Sequence, residues 1–304
     1  MSPHLSGETH ALLAAFTWAL ALTLFKRSGE TVPPLTLNLF KNVVALALMA
    51  VTAPWLGEAS AAHLHSSWSD IGILLLSGVL GIALADTAFF YCLNRVGLGL
   101  VTIVECLYSP SVILFAFLLL GERISMWHGV GGAFIICAVI VSTRHNLPKD
   151  RTQRDMIIGF LAGGISMALM AYGIVLAKPV LARFSLINAA MLRLLAGTGL
   201  IVIFTLLSSR RASYWSVFRP AATWRFTIPA AILGTYFAML FWVAGFKYAN
   251  AATAGILNQT SMIFAIILAT FVLKEPFTRR KLVAITLALA GVITVWFASR
   301  PTGE

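Results

Sequence analysis

Long runs of apolar residues dominate the chain, and short polar stretches separate them. Each run is about 20 residues long, which is the length a helix needs to cross a ~30 Å hydrocarbon core. Backbone groups in lipid must be hydrogen-bonded within their own segment, so these runs are predicted to be helices. The pattern predicts ten transmembrane spans, at residues 10–26, 35–56, 71–93, 99–120, 126–143, 156–177, 187–207, 226–248, 251–273 and 280–298.

The composition excludes a soluble globular protein. Of the 304 residues, 59% are hydrophobic and 11% are charged, whereas soluble domains carry about 25% charged residues. The net charge of +11 lies mostly in short loops between apolar runs, where anionic lipid headgroups are the expected partner rather than nucleic acid. We therefore expect a multi-pass protein of the inner (plasma) membrane with the lipid bilayer as its surroundings.

The longest polar stretch lies at the middle of the chain and predicts a division into two halves. It indicates a first five-helix repeat at 1–143, a linker loop at 144–155 and a second five-helix repeat at 156–304. A shift of 153 residues overlays the later spans of the two halves without a gap, and the second spans match with a slip of one residue. An internal repeat of this kind must be identified first, because the predicted fold has to contain two similar units.

The odd number of spans in each half predicts how the halves are related. A second half of five helices, joined by a short loop, must enter the membrane upside down relative to the first. This is the inverted-repeat plan of many secondary transporters, which place their site at the midplane between the halves. The predicted fold class is an all-α integral membrane protein of ten transmembrane helices in two inverted five-helix repeats.

Basic residues in the loops predict the orientation. Fifteen of them fall on one side of the predicted spans and five on the other. Because cytoplasmic loops are enriched in lysine and arginine, this bias places the central linker in the cytoplasm and both termini outside.

Several short motifs resemble one known family when they are taken together. They are AAFTWALALTLFK in the first span, a basic residue early in the second span of each half (Lys41 and Arg193), GER at Glu122 and KEP at Glu275. At this spacing and in duplicate, the chain resembles the drug/metabolite transporter superfamily in its ten-helix EamA form. The resemblance implies a secondary transporter with a central cavity lined by both halves. It also implies cytoplasmic termini, opposite to the charge bias.

Motifs for energy coupling and catalysis are absent from the sequence. There is no GxxxxGK[ST] loop for ATP and no HExxH or GxSxG motif, so we predict no enzyme activity and no cofactor. The three cysteines lie in apolar segments without metal-ligand spacing, so no metal site is predicted. They are Cys92, Cys106 and Cys137. A membrane-embedded enzyme or a scaffold, the alternative from another class, would need a cluster of catalytic groups.

Four charged residues inside the predicted spans are the strongest pointers to a site: Lys41, Asp86, Glu105 and Arg193. A charge at the centre of a bilayer costs about 2.5–3.5 kcal/mol or more, so it is usually functional or paired. The alternative is that the two long basic side chains reach the interface by snorkelling. That alternative explains the short side chain of Asp86 less well.

Aromatic and polar residues accompany these charges and complete a predicted substrate site. A carboxylate among aromatic rings is the chemistry that binds a desolvated ammonium group. The predicted substrate-binding residues are Glu105, Asp86, Trp18, Tyr91, Trp242, Tyr108, Asn258 and Asn42.

The leading functional hypothesis is a secondary transporter for a small organic cation or zwitterion, with a quaternary ammonium such as choline as its specific form. The resemblance agrees, since the superfamily includes bacterial choline permeases and small multidrug exporters. A membrane carboxylate that takes up a proton would also allow protons to serve as the coupling ion. The alternative is an amino-acid or metabolite exporter of the EamA type, in which Lys41 or Arg193 binds the substrate carboxylate.

Overall fold

The computed structural model describes residues 6–55, 67–121, 125–143, 152–219, 221–249, 251–274 and 278–298. Over these residues the chain is helical throughout, without a β-strand. The helices are α1 (Gly7–Gly29), α2 (Pro34–Trp55), α3 (Trp68–Gly78), α4 (Asp86–Val96), α5 (Leu98–Glu105), α6 (Tyr108–Leu120), α7 (Met126–Thr143), α8 (Gln153–Leu181), α9 (Leu186–Leu207), α10 (Arg211–Trp215), α11 (Trp224–Ala231), α12 (Ala238–Tyr248), α13 (Ala251–Asn258), α14 (Ser261–Phe271) and α15 (Arg279–Ala298).

Within the described residues, seven helical stretches are long and apolar enough to cross a membrane. They are α1, α2, the continuous helix Trp68–Val96, the stretch Leu98–Leu120, α8, α9 and the continuous helix Trp224–Tyr248. Three shorter apolar helices lie at Gly129–Ala138, Ser261–Phe271 and Leu282–Thr294. The chain is therefore a multi-pass membrane protein, as the apolar pattern predicts.

The two continuous helices that carry the third and eighth predicted spans each contain a π-helical segment. The first runs from Val79 to Ala85 and the second from Ile232 to Phe237, so they begin 153 residues apart. Helices α2 and α9 likewise begin and end 152 residues apart. The repeat offset predicted from sequence thus recurs in the local structure.

A break in the fourth and ninth predicted spans recurs at the same offset. Helix α5 ends before Cys106 and helix α13 ends before Gln259, each followed by a two-residue turn. In the first half, Pro110 has no N–H to donate to the carbonyl of Cys106, and this favours a break there. The second half has Ile263 at the equivalent position, so proline alone does not account for the shared break.

Polar contacts at both ends of α8 establish its direction relative to the helix Trp68–Val96. Near its start, Asp155 pairs with Arg95. Just beyond its other end, Arg183 pairs with Asp70 at 2.8 Å. The two helices therefore run antiparallel.

Two lysines make equivalent contacts in the two halves. Lys26, in the last turn of α1, donates to the carbonyl of Leu93 near the end of α4 at 3.4 Å. Lys178, in the last turn of α8, donates to the carbonyl of Phe246 near the end of α12 at 3.0 Å. Helix α1 therefore ends on the same side as the helix Trp68–Val96.

Each half also packs against the other in an equivalent way. Helix α1 packs on the helix Trp224–Tyr248, while α8 packs on the helix Trp68–Val96. Helices α2 and α9 contact each other, as do α7 and α15. The glutamates of the two motifs, Glu122 and Glu275, and linker residues 144–151 lie outside the described residues.

Candidate functional site

A cavity of about 100 Å³ lies between the two halves. Helices α1, α2, α4, α5 and α6 line it from the first half, and α8, α9, α12, α13 and α14 line it from the second. The two π-helical segments also face it, through Gly81 and Ile82 in one and Gly234 and Thr235 in the other.

Equivalent residues of the two halves line this cavity together. Eight such pairs line it: Trp18 and Met170, Lys41 and Arg193, Gly81 and Gly234, Ile82 and Thr235, Asp86 and Met239, Phe89 and Trp242, Glu105 and Asn258, Tyr108 and Ser261. Both acids come from the first half. The lining is therefore symmetric in position and asymmetric in charge.

Glu105 is the last residue of α5 and stands immediately before the helix break. The indole N–H of Trp18 donates to its Oε1 at 2.8 Å. The amide of Gln259, beside the equivalent break in the second half, donates to its backbone carbonyl at 3.2 Å. Its Oε2 has no hydrogen-bond partner in the described part of the chain. This oxygen can accept a hydrogen bond from a ligand or take up a proton.

Asp86 lines the cavity, but it already has a basic partner. The ammonium group of Lys41 lies 2.6 Å from Asp86 Oδ2 and also donates to Asn42 Oδ1 at 2.9 Å. Asn42 donates to Asn38 at 3.0 Å, so its side chain belongs to a buried polar network with Lys41, and it is not among the residues that line the cavity. The prediction treated Asp86 as available to a cationic ligand, whereas the structure neutralises it with Lys41.

Arg193 is the basic residue of the second half that stands at the position equivalent to Lys41. It lines the cavity, and only 1% of its surface is exposed. Its Nε and Nη1 have no hydrogen-bond partner among the described residues. The guanidinium lies over the ring of Trp242, with Cζ 5.2 Å from the ring centroid. The predicted substrate-binding set omitted Arg193, although its charge within a span was the available signal.

Three of the predicted aromatic residues line the cavity. Trp18 packs beside Phe89, with ring centroids 5.8 Å apart. Tyr108 packs beside Trp242 at 6.5 Å, and its hydroxyl has no partner within the described segments. These rings provide apolar walls around Glu105 and Arg193.

The fourth predicted aromatic residue, Tyr91, lies elsewhere. It lines a separate pocket with Lys26, Glu30 and Arg95, and the Arg95 guanidinium lies 4.4 Å from its ring centroid. At 100° per residue, five positions along a helix turn Tyr91 about 140° away from Asp86. Tyr91 was predicted because it lies near Asp86 in sequence, and the structure places the two residues in different pockets.

Comparisons with known proteins identify relatives of this chain. Two proteins named "Pseudopaline exporter CntI", from Pseudomonas aeruginosa strains UCBPP-PA14 and PAO1, are each 31% identical over 119 residues, which is 39% of this chain and 39% of each relative. A solved structure titled "Crystal structure of protein" has a TM-score of 0.70, with 19% identity over 96% of this chain and 99% of that one. At this identity the likeness concerns the fold alone.

A family comparison covers both halves of the chain. The description "EamA-like transporter family" matches residues 5–144 and again residues 157–297. The resemblance noted in the sequence is thereby confirmed. Because these matches cover nearly the whole chain, this protein belongs to the EamA-like transporter family, whose members are transporters rather than enzymes.

Proposed function

We propose that this protein is a secondary transporter. It moves a small organic cation or zwitterion across the inner membrane through the cavity between its halves. The observation that carries the proposal is Glu105, a carboxylate in a membrane-spanning stretch with one oxygen on Trp18 and the other without a described partner. A carboxylate at that depth is costly unless a ligand or a proton uses it.

The proposed architecture is ten transmembrane helices in two inverted repeats, at 1–143 and 156–304 with a linker at 144–155. Helix α1 and the helix Trp68–Val96 end on the same side, where Lys26 contacts Leu93. Helix α8 begins on that side, where Asp155 contacts Arg95. The first helix of each half therefore runs in the opposite direction, which supports an inverted relation.

The cavity residues suggest how a positively charged group would be held. Glu105 offers one carboxylate oxygen, and Trp18, Tyr108 and Trp242 offer ring faces nearby. Away from water, a carboxylate and aromatic rings each attract an ammonium group more strongly than they do in water. Asn258, at the position equivalent to Glu105, adds an amide to the cavity lining.

Two substrate classes are considered for this cavity, one suggested by its residues and one by the relatives. The acid and the aromatic rings favour a cation, of which choline is the simplest quaternary example. The relatives named as pseudopaline exporters favour the alternative, an amino-acid or metabolite exporter of the EamA type. Protons are the proposed coupling ion in either case, because Glu105 can carry a proton when the substrate is absent.

Binding measurements on the purified full chain in lipid nanodiscs test the proposal. Choline, glycine betaine and leucine would be titrated by calorimetry against the wild type and Glu105→Gln. Loss of the negative charge should weaken binding of the preferred ligand by about 1–2 kcal/mol, which is about five- to thirtyfold. Glu30→Gln is the matched control, since Glu30 is an exposed carboxylate that faces Arg27. Equal affinities in wild type and Glu105→Gln would reject the role of this carboxylate.

A further inference from the structure

Arg193 is a buried cation whose hydrogen-bonding groups are not satisfied within the described chain. Its side chain lines the cavity and is almost fully buried, yet two of its three nitrogens lack a partner there. Buried polar groups of proteins are almost always hydrogen-bonded, so each exception needs an explanation. A ligand group that arrives in the cavity is one such explanation.

The acids that line the cavity do not pair with Arg193. Asp86 is paired with Lys41 at 2.6 Å. Glu105 accepts from Trp18, and no salt bridge joins it to Arg193 in the described chain. The Lys41–Asp86 pair is neutral as a unit. The charges left for a ligand are therefore one positive, on Arg193, and one negative, on Glu105.

The surroundings of Arg193 hold its guanidinium in place. Helix α3 packs so closely that a Cβ atom on Gly78 would clash with the Arg193 carbonyl oxygen, which fixes the backbone of this residue. A Cβ atom on Gly81 would lie 3.4 Å from Nη2. The guanidinium also lies over the ring of Trp242. A guanidinium held in this way offers a planar fork that matches a carboxylate through two parallel hydrogen bonds.

We infer that the substrate carries a carboxylate, which Arg193 binds, together with an ammonium group that Glu105 attracts. This inference rests on the proposed function and narrows its substrate class to zwitterions. Choline offers Arg193 only a neutral hydroxyl and would leave the charge of the guanidinium unbalanced. A phosphate dianion would bring one more negative charge than Arg193 neutralises. A monovalent carboxylate balances the site.

Two pairs of ligands test the carboxylate, which is replaced by a neutral polar group in the second member of each pair. Glycine betaine and choline share a quaternary ammonium but differ in the carboxylate. Leucine and leucinamide share a primary ammonium and differ in the same way. In wild-type protein in nanodiscs, we expect the carboxylate member of at least one pair to bind at least about tenfold more tightly than its partner, the effect of a hydrogen-bonded charge.

Variants of Arg193 then connect that preference to this residue. Arg193→Gln should abolish the preference, and Arg193→Lys should keep part of it because the charge remains without the fork. Arg183→Gln is the control, since it removes an arginine that pairs with Asp70 outside the cavity. If Arg193→Gln does not fold, the wild-type ratios and Arg193→Lys still decide the matter.

The outcomes separate this inference from the proposed function. If choline and leucinamide bind as tightly as their partners, and Glu105→Gln weakens them, the proposed function stands and the carboxylate inference is wrong. If a carboxylate preference exists but survives Arg193→Gln unchanged, the inference is also wrong. If none of the four ligands binds the wild type, both proposals are rejected together.

Discussion

The indole N–H of Trp18 donates to Oε1 of Glu105 at 2.8 Å and so joins α1 to the end of α5 across 87 positions of the chain. The hydrogen bond holds one oxygen of the carboxylate, and the second oxygen has no hydrogen-bond partner among the described residues. Glu105 thus depends on α1 for its direction as well as on α5 for its position.

Trp18→Phe tests this dependence because it keeps an aromatic ring and removes the donor. Hydrogen bonds that involve a charged group contribute about 1.5–3 kcal/mol, so we expect a lower thermal unfolding midpoint in detergent. Adding Glu105→Gln should recover part of the loss, since a neutral amide costs less to leave unpaired. Trp68→Phe is the control, because Trp68 is 87% exposed at the start of α3. Equal midpoints for Trp18→Phe and Trp68→Phe would contradict the prediction.

The Lys41–Asp86 pair predicts strong coupling between its two members. Asp86→Asn would leave the ammonium of Lys41 buried without a counter-charge, at a cost of about 3–5 kcal/mol in the free energy of unfolding. The double variant Lys41→Met with Asp86→Asn should be more stable than Asp86→Asn alone. Thermal unfolding of the four proteins in a double-mutant cycle provides the measurement.

The exposed ion pair Arg27–Glu30, at 3.9 Å, provides the comparison for that cycle. Arg27→Gln should cost at most about 1 kcal/mol, as exposed pairs do. A double variant at positions 41 and 86 that is no more stable than the single variant would show that the pair is not coupled as the structure indicates.

Gly78 predicts a steric effect on the position of Arg193. Gly78→Ala would place a methyl group against the backbone of Arg193, and overpacking of this kind costs about 1–3 kcal/mol or more. Gly72→Ala in the same helix is the control, because its added methyl group would meet nothing within 4 Å. Only Gly78→Ala should lower the unfolding midpoint and weaken ligand binding. Similar behaviour of the two variants would show that the contact of α3 with α9 is not tight.

The loop charges predict the orientation, which cysteine labelling can establish. In a background that lacks Cys92, Cys106 and Cys137, Gln153→Cys marks the start of α8 and Ala182→Cys marks its far end. On intact cells, an impermeant maleimide should label position 182 and not position 153. The reverse pattern would support the cytoplasmic termini that the family resemblance implies.

The apolar runs predict the helices of this chain because lipid admits so few other structures. The repeat offset could also be found from sequence, and the π-helical segments and helix breaks follow it closely. The helix break shared by the fourth and ninth spans could be predicted from sequence in the first half only. Pro110 is visible in the first half, but Ile263 stands at the equivalent position in the second.

The composition of the site was less predictable than its location. Glu105 and Asp86 could be chosen because a carboxylate inside an apolar run is conspicuous. The sequence could not show which base pairs with Asp86, since Lys41 and Arg193 are equivalent and only their three-dimensional placement separates them. Tyr91 was chosen by adjacency, which does not determine the face of a helix.

The two π-helical segments begin at equivalent positions but are held differently. A π turn shifts the backbone hydrogen-bond ladder and frees carbonyl groups from their usual partners. In the first half, the side-chain amide of Asn38 donates to the carbonyl of Ile82 at 2.8 Å. The residues at the equivalent positions are Ala190 and Thr235, and an alanine methyl group cannot donate. We therefore expect amide protons around Thr235 to exchange with deuterium faster than those around Ile82, because local opening is easier where fewer bonds must break.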